Sequence, residues 1–246
     1  MLQPHIQLDE SINAKYALLP GDPGRLDRIA QQLQDVEELA YNREFRSIRG
    51  LYKGLPILAI STGIGGSSAA IAIEELRSIG VTAMIRIGSC GALQSGIPLG
   101  SMIFANGAIR DEGTSKAYAD VRFPAVPDPE LLFNCVAAAK DRGFEHRVGI
   151  VHSHESFYID TNDEESEYWS KLGALGADME TAALFTAGKI RGVRTASILN
   201  NVVLWGEDTK ESVGGYASGE ELCAQGEKNE IATALEALYR LSLSDK

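Results

Sequence analysis

The sequence predicts an α/β fold, and three observations carry that reading. Short apolar runs alternate with segments of helical period. Glycine-rich turns follow several of the apolar runs. The chain has 246 residues with 44% hydrophobic and 23% charged residues, an ordinary globular balance. At this length folding buries roughly 70–75% of the unfolded surface, so one large core is attainable without a metal or disulfide staple. No repeat, linker or low-complexity tract divides the chain, and residues 1–246 are read as a single domain.

Taken in order, Tyr16 to Pro20 is a short buried strand entering the turn GDPGR, and Leu26 to Leu33 is helical. Ser47–Tyr52 crosses Lys53-Gly54 into a second strand, Ile57 to Ser61. That strand ends in Thr62-Gly63-Ile64-Gly65-Gly66-Ser67. The helix SAAIAIEELRSIG follows, with Gly80 as its C-terminal stop. Thr82 to Gly88 is a strand ending in Ser89-Cys90-Gly91, and Ser101 to Ala105 is another. The polar stretch 106–128 reads as a long surface excursion. Pro129 to Arg142 is helical and Arg147 to Ser153 a strand. The acidic residues 159–171 form a loop and short helix over a site, with 160–167 as a candidate lid. Met179 to Ile190 is a helix stopped by Gly192, Arg194 to Asn201 a strand, and Ser218 to Leu243 the last long helix.

Charge and special residues exclude several functions. Lys plus Arg is 23 and Asp plus Glu 34, a net charge of -11. Such a surface repels phosphate backbones, so a nucleic-acid polymer is no partner, whereas a few arginines can still build a pocket for a small anion. Cys90, Cys135 and Cys223 are odd in number and widely spaced, which suits reduced thiols in a cytoplasm and neither a disulfide framework nor a zinc site. The opening MLQPHIQLDE has no signal-peptide pattern, and no apolar run is long enough to span a membrane. His152 and His154 share a strand face, but the sequence offers them no third metal ligand. Neither G-x-G-x-x-G, nor a phosphate loop, nor a G-x-S-x-G elbow is present.

In parallel sheets ligands bind beyond the carboxyl ends of strands. Gly21 and Arg25 lie at the end of the first strand, and Arg86 and Ser89 around the end of the third. Glycine lets backbone N–H groups approach an anion, and guanidinium forks match phosphate oxygens, so these residues together could hold one phosphate. A plain structural turn serves equally well for each glycine alone, and Ser67 reads equally as an N-cap. Asp178-Met179-Glu180 opens a helix of small apolar residues. A carboxylate in that turn either complements the helix dipole or grips two sugar hydroxyls, with Met179 on the ribose face. Phe157-Tyr158 could wall a base.

The motifs GDPGR, YNREF, STGIGGSSAAIAIEEL, RIGSCGAL, FPAV and DMETAALF, in that order, resemble the nucleoside phosphorylase family. The likeness runs from His5 to about Asn201 and is nearest the branch of uridine phosphorylases and short purine nucleoside phosphorylases. It implies a mixed central β-sheet flanked by helices, and a homohexamer, a trimer of dimers, whose sites are shared between subunits. The activity implied is reversible phosphorolysis of a nucleoside to free base and a pentose 1-phosphate, a pentosyl transfer serving nucleoside salvage. Inorganic phosphate is then co-substrate and no cofactor is required. The resemblance places phosphate on Gly21, Arg25, Arg86 and Ser89, with Arg43 and the ribose ligand His5 coming from a neighbouring subunit. It places the ribose hydroxyls on Glu180, Met179 against the sugar, Phe157 near base and ribose, and Ile64 in the pocket. A structural potassium would correspond to Glu44, Ile64 and Ser68.

The base pocket departs from both branches. The Gln-x-Arg pair with which uridine phosphorylases read uracil is missing from Phe157–Asp163. Where the purine branch often has an aspartate, this chain has Asn201, an amide that can hydrogen-bond to a base but is no general acid. The STGIGG wording leans slightly to uridine, with a 6-oxopurine nucleoside such as inosine as the alternative. A nucleosidase using water and a non-catalytic nucleoside binder are more distant readings.

Overall fold

Strand β5 (Ala83–Ala92) is the hub of the architecture in this computed structural model, which describes residues 1–207 and 221–245. It runs parallel to β1 (Tyr16–Pro20) on one side and to β9 (Arg194–Val203) on the other. Its last residues also pair antiparallel with β8 (Gly176–Asp178). From β8 the sheet continues in parallel through β7 (His146–His154) and β6 (Met102–Asp111), and β6 pairs back antiparallel onto β9. These strands close on one another as β5-β8-β7-β6-β9, while β4 (Leu55–Ile60), β3 (Phe45–Tyr52) and β2 (Gln34–Asn42) extend the sheet beyond β1. The sheet is thus mixed, as expected.

Helices cover both faces. On one, α2 (Gly66–Ser78), α3 (Gly113–Tyr118) and α6 (Thr181–Arg191) pack together, and Ile73, Leu76, Leu184 and Phe185 join Met84 and Leu199 in one apolar layer. On the other, α1 (Arg25–Ala30), α4 (Pro129–Asp141) and α7 (Glu221–Ser244) bury Leu26, Ile29, Leu131, Ile231, Leu235 and Leu238 against Ile85 and Ile87. A strand covered on both faces reads as a continuous apolar run. In β5 every residue from Ala83 to Gly88 is buried, and Arg86 is the single charged one among them. Burying a guanidinium is costly unless it is paired, so Arg86 requires buried counter-charges.

Local chemistry sets the helix ends. The Asp128 carboxylate accepts the Leu131 N–H at 2.9 Å and Pro129 occupies the first turn, which starts α4. Gly192 takes a left-handed φ of 69° and stops α6, as the sequence predicts. The remaining helix, α5 (Asn162–Lys171), has three acidic residues in its first turn and no buried residue.

Several boundaries differ from expectation. The helix read to Leu33 ends at Ala30, and after a three-residue turn the chain becomes β2, whose mostly exposed residues lack the alternation that signals a strand. The helix read from Met179 begins at Thr181, because Asp178 belongs to β8 and Glu180 is still non-helical. Stretch 106–128 is not an excursion: β6 runs on to Asp111 and α3 follows. Its polar groups are satisfied from within. The buried Arg110 donates to Ser115 Oγ and O and to the carbonyls of Ala119 and Asp120. The first residues predicted for the last helix, 218–220, lie outside the described residues.

Candidate active site

Two buried arginines approach the end of β5 from opposite faces of the sheet. Arg25, at the start of α1, donates from Nη1 to the Ile87 carbonyl at 2.9 Å. Arg86 projects from β5 on the face shared with Gly88, two residues on, and folds forward over it. A Cβ at Gly88 would lie 2.5 Å from Arg86 Nη2, so the glycine vacates the space the guanidinium fills. The GDPGR and STGIGG turns are stitched together beside them: Thr62 N–H donates to Pro20 O at 2.9 Å and Gly63 N–H to Gly21 O at 3.0 Å. Gly21 and the half-buried Ser89 therefore stand at the mouth of the same strand ends.

Arg86 is clamped by two carboxylates. Its Nε donates to Asp178 Oδ2 at 3.0 Å, and its Nη2 lies 2.5 Å from Glu180 Oε2. Burial opposes its charge, but Glu180 and Asp178 more than offset that and hold its pKa above the ordinary arginine value. Burial pushes the Glu180 carboxyl up, against the pull of Arg86. Glu180 also accepts the Gly65 N–H at 2.5 Å, which ties α6 to the STGIGG turn. Asp178 is fully engaged, accepting Ser153 Oγ at 2.6 Å and both N–H (2.9 Å) and Oγ1 (2.6 Å) of Thr181. Sequence reasoning gave Asp178 no role of its own. Its burial at a strand end beside a buried arginine is the signal that identifies it.

A cavity of about 750 Å³ opens beyond Gly91 and Ala92 of β5 and Ala177 of β8. Phe157, Tyr158 and Ile159, the first two turns of α5, and Leu204 to Glu207 complete it. Phe157 meets Tyr158 edge-on at 4.9 Å, an aromatic corner of the kind a flat ring packs against. Asp160, Asp163, Glu167 and Glu207 line the same space, and no lysine or arginine does among the described residues. Ala177, which lines it, is followed by Asp178, the carboxylate that accepts Arg86 Nε.

Asn201 is not brought to this cavity. Its amide donates to the carbonyls of Ile97 and Pro98, each at 3.1 Å, and it is fully buried. A register shift between Cys90 and Gly91 places Val203 against Gly91, and Val203 lines the cavity instead. The Asn201 amide donors are thus engaged by the loop that precedes β6.

A second group gathers on the rim of α2. The His5 ring meets Glu75 at 2.6 Å, and its carbonyl accepts Asn42 Nδ2 at 2.7 Å. Asn42 enters the β2–β3 hairpin, whose exposed tip residue Arg43 has a left-handed φ of 57°. Among the described residues, neither His5 nor Arg43 hydrogen-bonds or ion-pairs with Arg86 or Glu180 of its own chain. Glu44 accepts Ser68 Oγ at 2.7 Å, and that bond holds its carboxyl below the usual range. Ser68 also donates to Thr62 O at 2.5 Å, and Ile64 nearby is 80% exposed. A carboxylate, a hydroxyl and a main-chain carbonyl are hard oxygen donors and suit an alkali cation, but they make only part of a coordination shell. Met179 is half-buried, beside Glu180.

The histidine pair gains partners that the sequence did not reveal. The His152 and His154 rings lie 5.5 Å apart, tilted by 36°, and His152 Nε2 lies 3.1 Å from Asp111 Oδ2. Asp111, His152 and Glu165 bring one ligand atom each within 4.8 Å of one another. Lys116 Nζ also lies 3.6 Å from Asp111, so that carboxylate already faces a cation. The group reads as a polar link from α5 to the sheet. Cys90, Cys135 and Cys223 are all buried, and no helix among the described residues is long and apolar enough to cross a membrane.

Comparison with known proteins agrees with this geometry. Residues 15–211 match the model of the phosphorylase superfamily. A guanosine phosphorylase of Halorubrum lacusprofundi is 43% identical over 196 residues, covering 80% of this chain and 81% of that protein. The crystal structure of a uridine phosphorylase from Vibrio fischeri is 46% identical and superposes with a TM-score of 0.90 over 97% of each chain. A purine nucleoside phosphorylase from Toxoplasma gondii is 31% identical, with a TM-score of 0.91 over 99% of this chain and 97% of that one.

Proposed function

The chain belongs to the phosphorylase superfamily, and from that premise we propose how its residues carry out phosphorolysis of a nucleoside. The protein is a nucleoside phosphorylase, a pentosyltransferase that moves the sugar from a base to phosphate. The observation that carries the assignment of roles is the buried Arg86–Glu180 pair at the end of β5, the strand on whose Ile87 carbonyl Arg25 rests.

Arg86 and Glu180 neutralise each other before substrates arrive. Phosphate takes the guanidinium edge of Arg86 that Glu180 holds, with Arg25, Ser89 and the Gly21 turn as its further contacts. Glu180 is thereby released to accept the ribose 2′- and 3′-hydroxyls, and Met179 packs on the sugar. Phosphate and C1′ are then held in line, which removes much of the entropic barrier. As the bond to the base breaks, positive charge develops on the sugar. The fixed phosphate dianion and Glu180 stabilise it. No covalent enzyme intermediate is needed. Arg43 and His5 complete the phosphate and ribose contacts from an adjacent subunit of a hexamer, and a potassium at Glu44 and Ser68, beside Ile64, would need the rest of its shell from that subunit too.

For the base, the cavity favours a 6-oxopurine. A carboxylate accepts the paired N–H donors on the edge of guanine, whereas the two carbonyls of uracil call for donors, and the described lining has acids without arginine or lysine. The second reading, uridine, is favoured by the relatives so named, the Vibrio fischeri structure among them. Release of free base from guanosine, inosine and uridine, each with and without phosphate, separates them. Phosphate-dependent release of guanine or hypoxanthine supports the first reading, and of uracil alone the second. Release without phosphate makes the protein a nucleosidase and removes the role given to the arginines. Calorimetric binding without turnover leaves it a nucleoside binder.

A further inference from the structure

We propose that Glu230 is a positioning residue that sets, through Arg25, how tightly the protein holds phosphate. The proposal rests on the reading of Arg25 as a phosphate ligand.

Glu227 and Glu230 lie three residues apart on α7 and so share one helix face, turned into the protein. Both are buried, Glu230 completely. Glu230 Oε1 accepts the Gly88 N–H at 2.6 Å, at the point on β5 over which Arg86 folds. Its Oε2 lies 3.8 Å from Arg25 Nη1 and accepts no hydrogen bond among the described residues. Glu227 Oε2 lies 3.1 Å from Arg25 Nε, and the same carboxylate pairs with Arg28. Arg25 therefore faces one carboxylate in contact and a second just outside it. Neither carboxylate belongs to the reacting groups, yet both are bonded to the frame that holds them.

The charge on Glu230 decides what an incoming anion meets. Arg25 from α1, Arg86 and the Gly88 N–H from β5, and Glu227 from its own helix face it, with the neutral Cys90 thiol also in its field. Burial pushes the Glu230 carboxyl up to about 8, with Glu227 adding to the rise and both arginines opposing it. A neutral Glu230 places no second negative charge beside the Glu227 carboxylate that Arg25 contacts. An ionised Glu230 adds a second negative charge beside Arg25 and weakens its hold on a dianion. By linkage, bound phosphate keeps the proton on Glu230.

The test measures KM for phosphate, KM for the nucleoside and kcat from pH 6 to 9.5 in the wild type, Glu230→Gln and Arg25→Ala. Glutamine keeps the acceptor for Gly88 N–H and cannot ionise. The ratio of phosphate KM, wild type over Glu230→Gln, is expected near one at low pH and to reach about tenfold one unit above the Glu230 titration. Ionisation of phosphate itself cancels in this ratio, and the nucleoside KM ratio stays flat. A flat phosphate ratio, or an equal rise in both KM values, overturns the proposal. An unchanged phosphate KM in Arg25→Ala overturns the premise about Arg25 instead. Should Glu230→Gln fail to fold, sulfate binding to the wild type decides, because sulfate is a dianion throughout: its Kd rises about tenfold across the same interval, and a constant Kd overturns the proposal.

Discussion

Arg86 and Glu180 stand 2.5 Å apart in a site from which water is nearly excluded, and each is the other's principal counter-charge. The residue read as holding phosphate and the residue read as holding the sugar are thus one ion pair. Removing either leaves a buried charge. Arg86→Ala strands both Glu180 and Asp178 and is expected to lower stability by about 3–5 kcal/mol, seen as a lower urea midpoint. Glu180→Gln leaves Arg86 its Asp178 partner and costs less. Both variants should lose about a hundred- to a thousandfold in kcat/KM, since each removes a charge aimed at the reacting sugar or phosphate. An Arg86→Ala protein with wild-type turnover would end the phosphorylase mechanism drawn above.

Gly88→Ala tests the same geometry from the backbone side. The new methyl would sit 2.5 Å from Arg86 Nη2, and the guanidinium has little room to yield because Asp178 and Glu180 hold both of its edges. Overpacking of this kind costs about 1–3 kcal/mol. The functional loss should be larger: KM for phosphate is expected to rise at least about tenfold, with a smaller change in the nucleoside KM. Equal changes in the two constants would mean that the displaced group is not the phosphate ligand.

The last helix is moored by a different carboxylate. Glu236 accepts Lys53 Nζ at 2.7 Å, Tyr52 Oη at 2.9 Å and Arg240 Nε at 3.2 Å. Burial alone would raise its pKa, but these donors win and bring it down to about 2. A carboxyl depressed on folding stabilises the native state above its unfolded value near 4.5, and that stability is lost as the pH falls from there toward 2. The contribution is at most about 3 kcal/mol. Urea midpoints followed from pH 6 to 2.5 should fall more steeply for the wild type than for Glu236→Gln. Parallel curves would show that Glu236 contributes nothing to acid stability.

What the sequence disclosed depended on how local the physics was. Arg86 was legible because a guanidinium beside a glycine turn at a strand end suits an anion, and α4 because Pro129 to Arg142 is helical in its own residues. Strand β2 was hidden because it is largely exposed and lacks alternation. The place of Val203 against Gly91 was hidden because one extra residue follows Asn201 in the β5–β9 register, and no spacing rule reports such a shift. Glu230 was invisible for a further reason. Two acids three apart on a helix look like a solvated face, and the partner that buries this one, Gly88, is 142 residues away.

The most demanding prediction concerns residues that the single chain leaves apart. Arg43 sits at an exposed hairpin tip with a left-handed backbone, His5 is anchored beside it through Asn42 and Glu75, and Ile64 exposes its side chain on the same rim. A large exposed aliphatic next to an exposed arginine fits a surface covered by a second copy. If Arg43 serves the neighbour's phosphate while Glu180 serves its own sugar, the two defects lie in different sites of a mixed oligomer. Arg43→Ala and Glu180→Gln should each be nearly inactive alone. When the two are unfolded together and refolded, or co-expressed, subunit pairs form in which one site carries both defects and the other carries neither. About a quarter of wild-type activity is then expected from random pairing, one intact site in four. No recovery, with mixed oligomers demonstrated by differential tagging, would place Arg43 and Glu180 in the same site or remove Arg43 from catalysis.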